Sequence, residues 1–338
     1  MTKKCIGCGA ILQDNNVLLD GFTSNLINDY CVRCFRMKNY GDYQLVTKSN
    51  KEFIDILTSI GKTRSLVLYV VDLLNVPQDL NKIKEYLVRN DIILVLNKRD
   101  VLPMSVIDEK IIEYFKSFDL GFLDIILISA LKDYNLDLLY SKIRKYRNTK
   151  DVYVVGNTNA GKSALINKFM KNYMAANETL SISMMPSTTL NQIKLSMGDF
   201  NIIDTPGLVD EHNIINYVDI DVLKRIAWKK EIKQKVFQIR KGQSIIIDHL
   251  VRIDYVNGDA NSLIVYVSNE LKVKKVNSNR NKWLNDLFKH SFEVKYREDI
   301  VINGLGFIKV IDGCKIDVLI NKEVEVFTRR SMIWIGGV

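Results

Sequence analysis

The sequence predicts an α/β protein with a doubly wound, mostly parallel sheet, preceded by a cysteine-rich segment and followed by a β-rich region. Three observations support this fold class. Short apolar runs alternate with helical segments in the middle of the chain, two CxxC pairs come before them, and apolar and polar residues alternate from about residue 236 onwards. We therefore divide the 338 residues into regions 1–44, 45–210 and 211–338.

The first region carries Cys5, Cys8, Cys31 and Cys34 as CIGC and CVRC. In a cytosolic chain, paired CxxC spacing predicts a metal site rather than disulfides. Four thiolates would hold one tetrahedral Zn²⁺ at about 2.3 Å and leave no open position, so we expect a structural zinc finger. A redox pair is the alternative for a single CxxC, and two pairs favour zinc. Cys314 stands alone and is expected to be a buried apolar residue.

The second region contains the predicted parallel sheet. FIDILTSIG opens it with helical periodicity at Phe53, Ile54, Leu57 and Ile60. Short apolar, largely β-branched runs predict strands in SLVLYVVDLL, DIILVLNKRD, DIILISA, DVYVVGNTN, QIKLSM and FNIIDTPG. Helices are predicted in NKIKEYLVRN, KIIEYFKSF, LDLLYSKIRKY and SALINKFMKN.

A phosphate-binding loop is predicted at GNTNAGKS, which fits the pattern GxxxxGK[ST] between a strand and a helix. Its backbone N–H groups would surround phosphates, Lys162 would reach the β- and γ-phosphates, and the Ser163 hydroxyl would bind Mg²⁺. A chance Gly-rich turn is the alternative, and the correct flanks disfavour it. The loop residues expected at the nucleotide are Gly156, Asn157, Asn159, Ala160, Gly161, Lys162, Ser163 and Ala164.

Two further segments predict the response to the γ-phosphate. DTPG follows an apolar strand, so Asp204 is placed to hold Mg²⁺ and the Gly207 N–H to contact the γ-phosphate. Between this motif and the phosphate loop lies Pro186-Ser-Thr-Thr. We assign Mg²⁺ binding there to Thr189, with Thr188 as the alternative ligand. An ordinary polar loop without a role in Mg²⁺ binding is the other interpretation.

Guanine recognition is predicted at NKRD, which follows the apolar run IILVL. Asp100 can accept from both N1–H and N2–H₂ of guanine, a pairing that adenine cannot offer, so an ATP-using enzyme is disfavoured. Asn97 can bond the purine and the stem of Lys98 can cover its face. Ser129-Ala130 ends another strand and can offer a backbone N–H to guanine O6.

The five motifs occur in the order NKRD, SA, GxxxxGKS, TT and DTPG. In ordinary small GTPases the phosphate loop comes first. A circular permutation explains the difference, because joining the old termini and cutting elsewhere preserves the site. The cut falls just after DTPG, so the predicted γ-phosphate sensor continues directly into region 211–338.

These motifs together resemble the circularly permuted GTPases of bacterial ribosome assembly, and the chain is most similar to the YqeH family. The resemblance covers essentially the whole chain. It implies a cytoplasmic GTP/GDP switch with slow hydrolysis that acts on the small (30S) ribosomal subunit or its precursor and on rRNA, with no DNA partner. One departure is PSTT in place of PGTT, so Ser187 affects the expected flexibility of that loop.

The expected chemistry is positioning and electrostatic stabilisation without a covalent intermediate. Leu208 follows DTPG where Ras-like enzymes use a Gln to orient water, so intrinsic hydrolysis should be slow. By resemblance, Asn159 would help bind K⁺ and make hydrolysis K⁺-stimulated; a polar loop residue without an ion is the alternative. The residues assigned to catalysis are Lys162, Asn159, Thr189 and Gly207.

The third region carries +6 of the net charge of +9, which suggests an anionic partner. Basic residues crowd 224–241 and 272–282, with Trp228 and Trp283 within or beside them. RNA contact is the favoured interpretation, and a solvated lysine-rich face is the alternative. The candidates for RNA contact are Lys229, Lys230, Lys272, Lys274, Lys275, Arg280 and Lys282.

The composition excludes disordered and fibrous proteins. The chain is 47% hydrophobic and 26% charged, as in ordinary globular proteins. It has no apolar run of the roughly 20 residues that span a bilayer, and MTKKCIGCGA lacks the apolar core of a secretory signal, so no membrane partner is expected. The rival function is a GTP-sensing binding protein with negligible turnover and a non-ribosomal partner.

Overall fold

The computed structural model of the chain describes residues 3–6, 10–15, 21–32, 35, 50–173, 182–183, 193–278 and 287–333. These residues form two compact units. The first unit holds the described residues within Met1–Leu73, Asp79–Arg99 and Phe115–Val209. The second holds those within Leu74–Gln78, Asp100–Tyr114 and Asp210–Val338, so it includes two short segments that the sequence analysis assigned to the α/β region.

A seven-stranded mixed sheet forms the centre of the first unit, in the order β3-β2-β1-β4-β7-β6-β5. Its strands are β1 Leu66–Asp72, β2 Ile92–Asn97, β3 Asp124–Leu127, β4 Asp151–Val155, β5 Ile182–Ser183, β6 Ile193–Ser196 and β7 Asn201–Asp204. Strands β1, β2, β3, β4 and β7 are parallel, whereas β6 runs antiparallel to β7 and to β5. The prediction of a mostly parallel sheet with a β-rich C-terminal region is confirmed.

The α-helices with bounds inside the described residues are α1 Asn50–Gly61, α2 Asp108–Lys116, α3 Leu136–Tyr146, α4 Lys162–Tyr173 and α5 Ile220–Ile226. The helix predicted in NKIKEYLVRN is wrong in type: a 3-10 helix covers Asn81–Glu85 instead. The amides of Tyr86 and Leu87 bond three residues back, and the ammonium of Lys84 is tethered to the Leu120 carbonyl. The two amide bonds are local, whereas the Lys84 contact is tertiary and is not part of the local helical pattern.

Burial explains the strand sequences. Every residue of β1 and of β2 is buried, as expected for strands covered on both faces, and they therefore consist of nearly continuous apolar residues. Helices α3 and α4 pack Leu139, Ile143, Leu165 and Phe169 into the same core. Polar side chains remain where the parallel strands end, and the candidate site lies at this edge.

The second unit contains two five-stranded antiparallel sheets, in the orders β12-β9-β10-β16-β13 and β17-β14-β15-β11-β8. The first sheet comprises β9 Gln243–Ile247, β10 Val251–Asn257, β12 Val273–Asn277, β13 Phe288–Val294 and β16 Cys314–Ile320. The second comprises β8 Lys235–Ile239, β11 Asn261–Val267, β14 Glu298–Ile302, β15 Gly306–Val310 and β17 Val326–Arg330. Alternate residues such as Ile316, Val318 and Val265 share one core between the sheets, and Cys314 is buried as expected.

Within the described residues, no helix has both the length and the apolar character needed to cross a bilayer.

Candidate functional site

The predicted phosphate loop lies between the end of β4 and the start of α4. Gly156 has φ 150°, Asn159 φ 63° and Gly161 φ 93°. A Cβ at Gly156 would lie 2.2 Å from the Val70 carbonyl oxygen, so only glycine allows β1 to approach this closely. These backbone angles turn the chain into the N-terminus of α4, and free backbone N–H groups at such a helix N-terminus can bind phosphate.

Lys162 is fully buried at the first position of α4. Its ammonium donates to the carbonyl oxygens of Gly156 at 2.6 Å and Asn157 at 2.9 Å. Burial lowers the pKa of Lys162 to about 7, since desolvation disfavours the charged form. A phosphate group would supply the negative charge that this site lacks, so the side chain is suited to an anionic ligand.

The predicted γ-phosphate sensor lies directly against this loop. Leu208 donates its N–H to the Gly156 carbonyl at 3.3 Å and accepts from the Thr158 N–H at 2.8 Å. A Cβ at Gly207 would lie 3.1 Å from the Lys162 Nζ and 3.0 Å from the Thr158 Cγ2. The structure therefore brings DTPG and the phosphate loop together, with glycine where the approach is closest.

Asn97 joins three of the predicted motifs. Its side chain is buried at the end of β2, donates to the Ala160 carbonyl at 2.9 Å and accepts from the Ala130 N–H at 3.1 Å. NKRD, the phosphate loop and Ser129-Ala130 therefore meet through one amide. The sequence analysis assigned this amide to the purine, whereas here it connects the loops around the site; its purine contact and that of the Ala130 N–H remain predictions.

Lys98 and Asp72 form an ion pair at the same sheet edge. The ammonium lies 2.7 Å from the Asp72 Oδ2, and Lys98 adopts φ 70°. Asp72 ends β1, and sequence reasoning missed it as a site residue. The available signal was an acidic residue that closes an apolar strand, as Asp204 does on β7. Asp100 lies in the next turn, a 3-10 helix at Arg99–Val101, and is grouped with the second unit.

The remaining predicted ligands are divided between described and undescribed parts of the chain. Asp204 is buried at the end of β7, Ser163 lies in the first turn of α4 and is half-buried, and Asn159 and Ala164 are exposed. Thr188, Thr189 and Ser187 lie outside the described residues. A carboxylate and a hydroxyl beside the phosphate loop are oxygen donors of the type that Mg²⁺ prefers, so these residues fit a nucleotide–magnesium complex.

Comparison with known proteins identifies the family. The family model described as "50S ribosome-binding GTPase" matches residues 151–287, and the model "YqeH-like, C-terminal" matches residues 273–332. The chain is 35% identical to the protein named YqeH of Bacillus subtilis, over 97% of this chain and 99% of that protein. The chain belongs to the YqeH-like family. It is accordingly a GTPase, and the family's P-loop GTPase domain implies GTP/GDP and Mg²⁺ as ligands.

More distant relatives are longer proteins. The YqeH-like chain is 27% identical to NO-associated protein 1, chloroplastic/mitochondrial, of Arabidopsis thaliana, over 70% of this chain and 48% of the relative. It is also 27% identical to human nitric oxide-associated protein 1, over 56% of this chain and 36% of the relative.

Half of the predicted zinc site of this YqeH-like protein is described. Cys5 and Cys31 are both buried, and the Cys31 N–H donates to the Cys5 Sγ at 3.2 Å. The Cys5 N–H donates to the Ala10 carbonyl at 2.8 Å, which closes a turn. Cys8 and Cys34 lie outside the described residues, and the described part of the chain contains no group of three or more metal-ligating side chains.

The two basic runs come together at one edge of the second unit. Strands β8 and β12 are edge strands of different sheets. Lys235 donates from Nζ to the Leu271 carbonyl at 2.7 Å, and Lys275 donates to the Gln238 carbonyl at 2.8 Å. We define the basic edge as residues 229–241 and 272–278; its exposed cations are Lys229, Lys230, Lys233, Arg240, Lys241, Lys272, Lys274 and Lys275. Arg280, Lys282 and Trp283 lie outside the described residues.

Proposed function

We propose that this YqeH-like GTPase is a switch of ribosome biogenesis that acts on the small ribosomal subunit or its precursor. The observation that carries the proposal is the convergence of four motifs: Asn97 bonds both Ala160 and Ala130, and Leu208 bonds Gly156 and Thr158. A nucleotide at the phosphate loop would contact a loop that is bonded to NKRD and DTPG, and through Asn97 to Ser129-Ala130.

The proposed roles of the individual residues are those that their motifs predict. Lys162 neutralises β- and γ-phosphate charge, Gly207 contacts the γ-phosphate, and Asp100 selects guanine. Ser163, Asp204 and Thr189 would hold Mg²⁺, which supplies further neutralisation of phosphate charge. No protein group forms a covalent bond to phosphate.

A circular permutation accounts for the topology. The phosphate-loop strand β4 lies between β1 and β7 in the sheet, while the strands that carry NKRD and SA, β2 and β3, precede it in the chain. The match to the GTPase family model also starts at residue 151, after both of those motifs. These observations support the same site built from a re-ordered chain.

The permutation gives the switch a direct mechanical output. The chain leaves DTPG and enters the second unit at Asp210. There the Asn303 amide donates to the Asp210 Oδ2 at 2.8 Å, and the Asn303 carbonyl accepts from the Ile214 N–H at 3.0 Å. Movement of Gly207 on loss of the γ-phosphate would therefore pull on residues that are anchored to the β-sheets.

The basic edge is the proposed RNA contact. Its cations come from both basic runs, which are far apart in sequence. Among the ion pairs of the described residues, Lys229 pairs with Glu270 at 3.3 Å, whereas Lys230 and Lys233 form no pair. Lys230→Glu and Lys274→Glu, each made singly, should weaken RNA binding and flatten its dependence on salt. Lys322→Glu, which alters an exposed lysine in the turn before β17, is the charge-matched control. Equal loss in all three variants would argue for a merely solvated surface.

Co-sedimentation with purified ribosomal subunits tests the partner. We expect binding to 30S particles with a non-hydrolysable GTP analogue and release with GDP. Because one matching family model is described as 50S ribosome-binding, 50S particles must be tested separately. Retention on 50S particles alone would contradict the proposed small-subunit role.

Phosphate release distinguishes this enzyme from a GTP-sensing binding protein. Leu208 cannot orient water, so slow intrinsic turnover is expected, with acceleration by ribosomal subunits. We propose that Asn159 helps bind K⁺, so rates should be higher in KCl than in NaCl, and the difference should vanish in Asn159→Ala. Absence of turnover in every condition would favour the rival function.

The four N-terminal cysteines are proposed to hold one structural Zn²⁺. Cys5 and Cys31 are both buried, and the hydrogen bond from the Cys31 N–H to the Cys5 sulfur is of the kind that supports a metal-bound thiolate. Metal analysis of the purified protein should give one zinc per chain, and Cys8→Ser should lower that content. A content far below one would exclude the zinc finger.

A further inference from the structure

The segment that follows the guanine-recognition motif is held by the connector, which we define as residues 227–234 between α5 and β8. The Ile232 N–H donates to the Val101 carbonyl at 2.9 Å. The Glu231 carboxylate accepts from the Met104 N–H at 2.8 Å. Val101 is the residue directly after Asp100, so the first of these bonds acts on the main chain next to the guanine-selecting carboxylate.

Asn269 fixes the connector itself. Its Nδ2 donates to the Glu231 carbonyl at 2.8 Å and its Oδ1 accepts from the Lys233 N–H at 2.8 Å. One side chain therefore bonds the main chain on both sides of Ile232. Because Ile232 is buried between these two bonds, the direction of its N–H towards Val101 is determined by Asn269.

The loop after Asp100 has little freedom to adjust on its own. Val101 is 3% exposed and Leu102 is 1% exposed. A carboxylate that accepts two hydrogen bonds from one base edge needs a defined orientation, and an error of about 1 Å in placing such a group is costly. The bonds to Val101 and Met104 are therefore well placed to control how Asp100 meets guanine.

We propose that Asn269 and Glu231 are positioning residues for guanine selectivity, acting through Val101 and Met104 on Asp100. The inference rests on the proposed guanine recognition by Asp100. It assigns a nucleotide-selecting role to two residues of the β-rich region that are far in sequence from every nucleotide motif.

Affinities for GDP and IDP test this role, because hypoxanthine lacks the 2-amino group that Asp100 would bind. In full-length Asn269→Ala we expect the preference for GDP over IDP to fall by about three- to tenfold, the size expected for loss of roughly one hydrogen bond. Glu231→Ala should show a smaller fall, and Glu231→Gln, which keeps an acceptor for the Met104 N–H, should restore the preference. Affinity for IDP should change little in each case.

Glu270→Gln provides the matched control. It removes one negative charge, as Glu231→Ala does, from the residue next to Asn269. Its carboxylate pairs with the exposed Lys229 at the start of the connector, at 3.3 Å, and not with residues 101–104. Its GDP preference should equal that of the unmodified protein. Thermal unfolding of each variant separates loss of selectivity from loss of fold, and the Glu231 pair decides the question if Asn269→Ala does not fold.

Asp100→Asn separates the positioning role of Asn269 and Glu231 from guanine recognition by Asp100 itself. If this variant loses the preference for GDP while Asn269→Ala and Glu231→Ala keep it, the positioning role is overturned and guanine recognition by Asp100 stands. If Asp100→Asn keeps the preference, the guanine assignment itself fails. A reduced preference in all three variants, with Glu270→Gln unaffected, supports the inference.

Discussion

Asn97 and Ala160 are joined by a hydrogen bond of 2.9 Å between the side-chain amide and the main-chain carbonyl. Through this bond the end of β2 supports the phosphate loop after β4, across the intervening strand β1. The same side chain accepts from the Ala130 N–H. Base-side and phosphate-side elements of the site are therefore coupled even before any base contact by Asn97 is considered.

Asn97→Ala should weaken GDP binding by about 10- to 100-fold, since each buried group that loses its partner costs about 1–3 kcal/mol. Titration calorimetry of the purified protein would measure the change. Asn90→Ala is the control, because Asn90 donates to the Ser65 carbonyl at 2.8 Å and is not bonded to any predicted motif. The same loss of affinity in both variants would contradict a specific role for Asn97.

Gly161→Ala should abolish nucleotide binding. The added Cβ would lie 2.2 Å from the Asn97 Nδ2 at φ 93°, so both the backbone and the bond to Ala160 would be disturbed. Gly198→Ala is matched in backbone conformation, with φ 83°, but meets nothing within 4 Å. It should cost about 1–2 kcal/mol of stability and leave affinity unchanged. Fluorescent-GDP titration with parallel thermal unfolding would compare the two; retained binding in Gly161→Ala would refute the close approach.

The Asp72–Lys98 ion pair should contribute to stability of the site edge. Asp72 is 8% exposed at its side chain and Lys98 27%, so solvent screens the pair only partly. A double-mutant cycle with Asp72→Asn and Lys98→Met should give a coupling free energy of about 1–3 kcal/mol in chemical denaturation. The exposed pair Lys224–Asp221 is the comparison, with an expected coupling below about 0.5 kcal/mol. Equal couplings would show that the buried setting of Asp72 has no energetic effect.

The motifs could be predicted because each combines a strand end with a short residue pattern that has a defined chemistry. Asp72 was missed because one acidic residue after an apolar run has no pattern of its own. The grouping of Asp100–Tyr114 with the β-rich unit was also not predictable, since it depends on contacts such as Ile232 to Val101 between residues distant in sequence. The α-helix predicted from Asn81 onwards is absent for the same reason, because local periodicity carries no information on the hydrogen bond from Lys84 to the Leu120 carbonyl.

Proton uptake should accompany nucleotide binding above neutral pH. The pKa of Lys162 in the ligand-free protein is lowered from 10.5 to about 7 by burial, and phosphate should raise it again by pairing with the ammonium. At pH 8 to 9 the free side chain is mostly neutral and the bound one charged. Binding of GDP should then take up close to one proton, and affinity should fall by up to about tenfold per pH unit above 7. Calorimetry in buffers of different ionisation enthalpy measures the uptake directly.

The lowered pKa of Lys162 also affects folding. Its contribution to stability rises with pH, whereas GDP affinity falls with pH. In the ligand-free protein the unfolded chain binds the Lys162 proton more tightly, so between pH 7 and 10.5 the contribution of this group to the unfolding free energy increases with pH. Lys162→Arg keeps its charge throughout this range and should bind GDP, if at all, without proton uptake. Equal uptake in Lys162→Arg and in the unmodified protein would assign the proton to another group and contradict the role given to Lys162.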